Sequence, residues 1–159
     1  MKIWLSTILS ALVLSLAAEP VTYRDQTGRV TGRATQNGSI TTYRDGSGRI
    51  TGTGTRSGTR VVYRDARGHV IGSAVQNGSH VTYRDGHGHF SGSATNLNER
   101  ITYRDKTGHI TGQSSPNGSH VTYRDGNGHI TGSSTAQNES GTGIPADSFY
   151  RVQPTPRQR

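Results

Sequence analysis

Seven histidines, a column of aspartates and a column of arginines are the residues of this chain with chemistry to offer. Asp25, Asp45, Asp65, Asp85, Asp105 and Asp125 stand twenty residues apart, each directly after an arginine. Catalysis asks for several different groups at one place. Here every polar group recurs with the repeat, and no copy has a nucleophile, base and orienting residue of its own. The chain is therefore expected not to be an enzyme, with no catalytic residue and no cofactor. The aspartates read as turn-initiating residues whose carboxylates accept backbone N–H groups. His69, His89, His109 and His129 form a column, but on alternate strands they would lie about 10 Å apart. Zinc needs its ligands near 2 Å, so one column cannot chelate it. His87 and His89 can share at most a weak surface ion, and no metal site is expected.

Charge is the signal that points outward. Lys and Arg number 18 against 10 Asp and Glu, for a net charge of +8. Lys2 is the only basic residue among the first eighteen, so 17 basic residues and a net charge of about +7 belong to the rest. Asp is committed beside Arg29-type partners, which leaves Arg24, Arg44, Arg64, Arg84, Arg104 and Arg124 as the free cations. Arg60, His80, Arg100 and His120 add to the same face. Such a face keeps a protein soluble and guards sheet edges. It also suits an extended polyanion, and an acidic polysaccharide or lipopolysaccharide is the expected partner. No aromatic–basic groove motif is present, so nucleic acid is not expected. Histidine gains its charge at mildly acidic pH, so polyanion binding should strengthen there.

These residues are positioned by six copies of one twenty-residue unit, beginning at Val21, Thr41, Val61, Val81, Ile101 and Val121 without insertion or deletion. Periods of this length mean a stacked or meandering repeat. Each unit reads as two short strands and two tight turns, bounded by turn residues. Val21 to Asp25 is β-branched and aromatic. The first turn carries Gly28, Gly48, Gly68, Gly88, Gly108 and Gly128, which fit the left-handed position of a three-residue hairpin loop. The second carries only Gly or Asn at Gly38, Gly58, Gly78, Asn98, Gly118 and Asn138, the residues that tolerate positive φ.

Parity sets the expected register, because a one-residue slip turns a strand over. Two three-residue loops would keep all six tyrosines on one face. Tyr23 and Tyr43 would then flank Thr31, Arg24 and Arg44 would flank Val30, and Asp25 would face Arg29. The tyrosine column reads as cross-strand packing, each pair adding roughly 0.2–1 kcal/mol, rather than a sugar-stacking stripe. The expected fold is all-β, an antiparallel meander of about twelve short strands that curls as twist accumulates. A β-solenoid is the alternative, but it would stack Arg on Arg and Asp on Asp at about 4.8 Å.

Tyr43-Arg44-Asp45-Gly46-Ser47-Gly48-Arg49-Ile50 resembles the YD repeat of bacterial Rhs proteins and teneurins, Tyr-x-Tyr-Asp-x-x-Gly-Arg-Leu. Arg44 replaces the second Tyr, and His replaces Arg from His69 onward. The resemblance implies antiparallel hairpins. The Tyr/Gly alternation is also somewhat similar to MORN repeats, another hairpin meander. Neither implies an activity, and the chain is too short to enclose a toxin in the manner of the Rhs shell.

Residues 1–18 have the form of a signal peptide: Lys2, an apolar run from Ile3 to Leu16, then small residues, with cleavage expected after Ala17 or Ala18. Export to the periplasm or the outside follows, with no transmembrane segment after processing. There is no Cys for a lipid anchor or disulfides. Residues 19–140 form the repeat domain. It holds only about a fifth apolar residues, a composition that would suggest disorder without the repeat. Residues 141–159 form a tail, whose Phe149-Tyr150-Arg151-Val152 is expected to cap a sheet edge before a disordered Pro- and Arg-rich end. Three functions fit: a secreted or envelope scaffold with a polyanion- or glycan-binding surface, a self-assembling amyloid-like matrix subunit joined through sheet edges, or a secreted effector.

Overall fold

Within each unit, β-branched and aromatic residues alternate faces between turns that the glycines close. A computed structural model describes residues 20–135 and shows twelve strands and no helix among them. They are β1 (Val21–Asp25), β2 (Val30–Asn37), β3 (Ile40–Asp45), β4 (Ile50–Ser57), β5 (Arg60–Asp65), β6 (Val70–Asn77), β7 (His80–Asp85), β8 (Phe90–Leu97), β9 (Arg100–Asp105), β10 (Ile110–Asn117), β11 (His120–Asp125) and β12 (Ile130–Thr135). All neighbours pair antiparallel, so the chain is a meander of hairpins and the parallel solenoid is set aside. The expected curl goes to completion. β12 pairs with β1, Thr22 opposite Thr135 and Tyr23 opposite Ser134, and the sheet closes into a barrel.

The two kinds of turn differ. At the first, the Gly28 N–H donates to the Asp25 carbonyl at 3.0 Å and the Asp25 N–H donates to the Arg29 carbonyl at 3.0 Å. Gly28 has φ +84°, as a three-residue loop closed by a left-handed residue requires. At the second, Asn37 pairs directly with Ile40, so the loop is only Gly38-Ser39, with Gly38 at φ +57°. The expected second three-residue loop is therefore corrected to a two-residue one.

What preserves the tyrosine parity is a β-bulge. Tyr23 faces Gly32 while Arg24 faces Val30, which leaves Thr31 as an extra residue, and the register shifts at the same place in the other five hairpins. Tyr23 and Tyr43 thus flank Gly32 and Ala34, not Thr31. Arg44 lies between Arg33 and Ile50, not beside Val30. A bulge also strengthens local twist, and one per hairpin helps to bring β1 and β12 together. The neighbouring glycine is part of this device. A Cβ on Gly32 would stand 2.7 Å from the Arg44 carbonyl oxygen, too close for any other residue without a backbone shift.

The tyrosines fill the interior. Tyr63 and Tyr83 are fully buried, Tyr43, Tyr103 and Tyr123 nearly so, and Ala34, Ala74 and Ala94 pack among them. The small residues on the strand opposite make the room. Where Ser114 and Ser134 replace alanine, their hydroxyls meet Tyr103 and Tyr123 at 3.2 and 2.8 Å.

Candidate functional site

With the tyrosines inside, strand alternation places Arg24 and its equivalents outside. Each is braced in the same way. Arg24 Nη1 donates to the Gly28 carbonyl at 2.9 Å, and Arg44, Arg64, Arg84, Arg104 and Arg124 repeat the bond to their own turn glycines at 2.9–3.0 Å. The guanidinium therefore folds over its turn, with most of its donors left to solvent. Six such groups form a ring near one rim, about 10 Å apart on alternate strands.

Arg60, His80, Arg100 and His120 share the outer face but start their strands at the opposite rim, roughly 14 Å away along the strand. They form a second ring. His80 Nδ1 lies 3.3 Å from Thr95 Oγ1, and His120 Nδ1 lies 3.4 Å from Thr135 Oγ1. One outward cation escaped the sequence reading. Arg33 sits directly across from Arg44, and its direction becomes legible only once the bulge at Thr31 is counted. No Asp or Glu lies on the outer face of the twelve strands in this register.

The aspartates end their strands on the inward side of the arginine rim and act as turn caps. Asp25 Oδ1 accepts from the Thr27 hydroxyl at 2.7 Å, the Thr27 N–H at 2.9 Å and the Arg29 N–H at 3.0 Å. The Thr27 hydroxyl, together with these backbone donors, holds the Asp25 carboxyl below its ordinary range against an opposing contribution from burial; Asp45 and Asp105 follow suit with Ser47 and Thr107. At Asp65, Asp85 and Asp125, desolvation pushes upward. The N–H and imidazole donors of His69, His89 and His129, with one further backbone N–H each, outweigh it.

His69, His89, His109 and His129 approach these carboxylates at 3.2, 3.5, 3.8 and 3.3 Å. The imidazoles are well exposed, and such pairs contribute little to stability. Thr107 Oγ1 bonds both Asp105 Oδ1 at 2.6 Å and His109 Nδ1 at 2.9 Å. This is not a hydrolytic relay, because Asp105 and Thr107 address the same imidazole nitrogen, whereas a triad uses one for each. The His87 and His89 rings are 6.2 Å apart, and no group of three or more potential metal ligands converges among the described residues. A shallow groove of about 510 Å³ lies between the Asp25 and Asp45 turns, lined by carboxylates already engaged in capping.

Asn138 and the tail, including Phe149 to Val152, lie outside the described residues, as do residues 1–18 with the expected signal peptide. The class that fold and surface define is a closed antiparallel β-barrel of hairpin repeats with a basic exterior. Compared with protein-family models, with curated proteins and with solved structures, the chain finds no match in any of the three. The likeness to YD repeats therefore stands on the motif residues alone.

Proposed function

We propose that this is an exported, non-catalytic binding protein whose basic exterior takes an extended polyanion, an acidic polysaccharide or lipopolysaccharide. The observation that carries this reading is the ring of six arginines, each held by a bond to its own turn and none sharing the outer face with a carboxylate. Pre-positioned cations lose less freedom on binding. Single exposed contacts are weak, so affinity would come from several acting together along one polymer. It would fall steeply with salt.

Closure of the barrel supports this reading over edge-templated assembly, since β1 and β12 spend their edges on each other. Sizing by light scattering over several days separates the two: a binding protein keeps its size and a matrix subunit grows. The direct test is elution from immobilised heparin or lipopolysaccharide, comparing the native chain with the triple variant Arg64→Gln, Arg84→Gln, Arg104→Gln. The variant should elute at clearly lower salt while keeping its circular dichroism. Elution of a folded variant at the native salt concentration would leave the arginines with a solubility role only.

A further inference from the structure

The six repeats serve as internal controls for one another. A residue type found at a position in five copies is sufficient to build the barrel there, so a departure in the sixth asks for another explanation. The outer face of the middle repeats departs four times in one direction. Val62 stands where every other copy has Thr, and Val75 where the others have Thr or Ser. Phe90 replaces the Val or Ile of its column, and Leu97 replaces the Asn or Ser that precedes the other two-residue loops among the described residues. All four lie between β5 and β8, on one side of the barrel, and the register turns all four outward.

Val62 is half-buried, whereas the other three are exposed. With Val70 of the same face, the exposed fractions are 44% for Val70, 38% for Val75, 44% for Phe90 and 67% for Leu97. Each of these four side chains has an arginine as its direct cross-strand neighbour: Arg64 opposite Val70, Arg60 opposite Val75, Arg84 opposite Phe90 and Arg100 opposite Leu97. Apolar and basic side chains alternate over a section of wall four strand spacings wide and seven residues tall, about 19 by 24 Å. The nearest acids are Asp65, Asp85 and Asp105, turned into their own caps at one rim, and Glu99 in the loop at the other.

We infer that this side of the barrel, from β5 to Arg100 at the start of β9, docks side-on against an anionic lipid surface. The inference rests on the polyanion reading for its arginines and adds what a sugar polymer leaves unused, the apolar side chain beside each one. An anionic bilayer interface offers phosphates and acyl carbon within one side-chain length of each other. It is also deformable, which suits a convex barrel wall. Strands of six and eight residues with outward arginines fit contact with the surface rather than crossing, which takes about 9–11 residues per strand.

The test is co-flotation of the full chain with vesicles of phosphatidylcholine, alone or containing phosphatidylglycerol. The quadruple variant Val70→Thr, Val75→Thr, Phe90→Thr, Leu97→Asn is compared with Ile50→Thr, Ile110→Thr, Ile130→Thr on the rest of the circumference. The native chain should float with the anionic vesicles only. The quadruple variant should lose about tenfold or more in bound fraction, the triple variant should keep most of it, and both should leave heparin with the native chain. The double variant Phe90→Thr, Leu97→Asn gives the same readout should the quadruple one misfold. A native chain that binds heparin but not anionic vesicles overturns this inference and spares the polyanion reading. Binding to neither overturns both, and equal losses in the two belt variants would show that the middle repeats hold no special face.

Discussion

The Tyr123 hydroxyl meets the Ser134 hydroxyl at 2.8 Å inside the barrel, eleven residues away along the chain. Tyr123 pairs with Gly132, and its hydroxyl reaches Ser134, the next inward residue of β12. Four other copies carry Ala or Gly at that place and fold alike, so the serine is an addition to the packing rather than its basis. Ser134→Ala should therefore cost only about 1 kcal/mol, the net worth of one hydrogen bond. Tyr83→Ala, which empties a fully buried site, should cost about 3–5 kcal/mol by analogy with other aromatic truncations. Urea unfolding midpoints compare the two, and equal losses would mean that the interior is not packed around the tyrosines.

Closure makes a prediction of distance. Spin labels at Thr22 and Thr135 sit on directly paired residues of β1 and β12. In the closed barrel their backbones are about 5 Å apart; in an open sheet of the same strands the separation approaches 50 Å. Pulsed dipolar spectroscopy should find no long distance in the native chain, and a dominant population near 50 Å would show the seam to be open.

Much of this fold is legible in the residues. Val21 to Asp25 announces a strand by its β-branched and aromatic content, and Gly28 and Gly38 announce turns by the φ values they later adopt. The bulge is not legible at Thr31, because the extra residue is Thr, Ile or Ser in different copies and looks like any strand residue. Its marker is Gly32, whose reason appears only when the Arg44 carbonyl of the next strand is in place. Without the bulge, parity demands a second three-residue loop, and the β2 neighbours of Tyr43 and Arg44 become Thr31 and Val30 in place of Ala34 and Arg33. The candidate surface was legible in the same measure: alternation puts Arg24 and Arg60 types outside and their four-residue spacing sets them at opposite rims, but the fold of each guanidinium over its turn is not written in the sequence.

Acid should unfold the protein through its turns. The six capping carboxyls, Asp25 to Asp125, all have folded-state pKa values below the ordinary one of 3.8. A depressed pKa contributes stability that is fully present above the unfolded value and is lost as pH falls through the folded one. The melting temperature should hold down to about pH 4 and fall below it. Asp45→Asn keeps a side-chain oxygen to accept the turn N–H groups but cannot ionise, so its melting temperature should decline less over the same acid range. A variant curve parallel to the native one would remove Asp45 from the acid transition.

The loop between β8 and β9 is the place where the chain departs from its own best turn. Asn98 has φ 50° and Glu99 φ 65°, so both central residues are left-handed, the pattern of a type I′ turn. Asn tolerates that region, since its short side chain bonds locally, but Glu has no such compensation and meets a steric cost of roughly 1–2 kcal/mol. Glu99→Gly removes the strain and gives back part of the gain as unfolded-chain entropy. The variant should be more stable by about 0.5–1 kcal/mol. Asn98→Gly should gain less. Urea titration of both variants checks the order, and a loss of stability at Glu99→Gly would mean that the glutamate side chain, not the backbone, governs this loop.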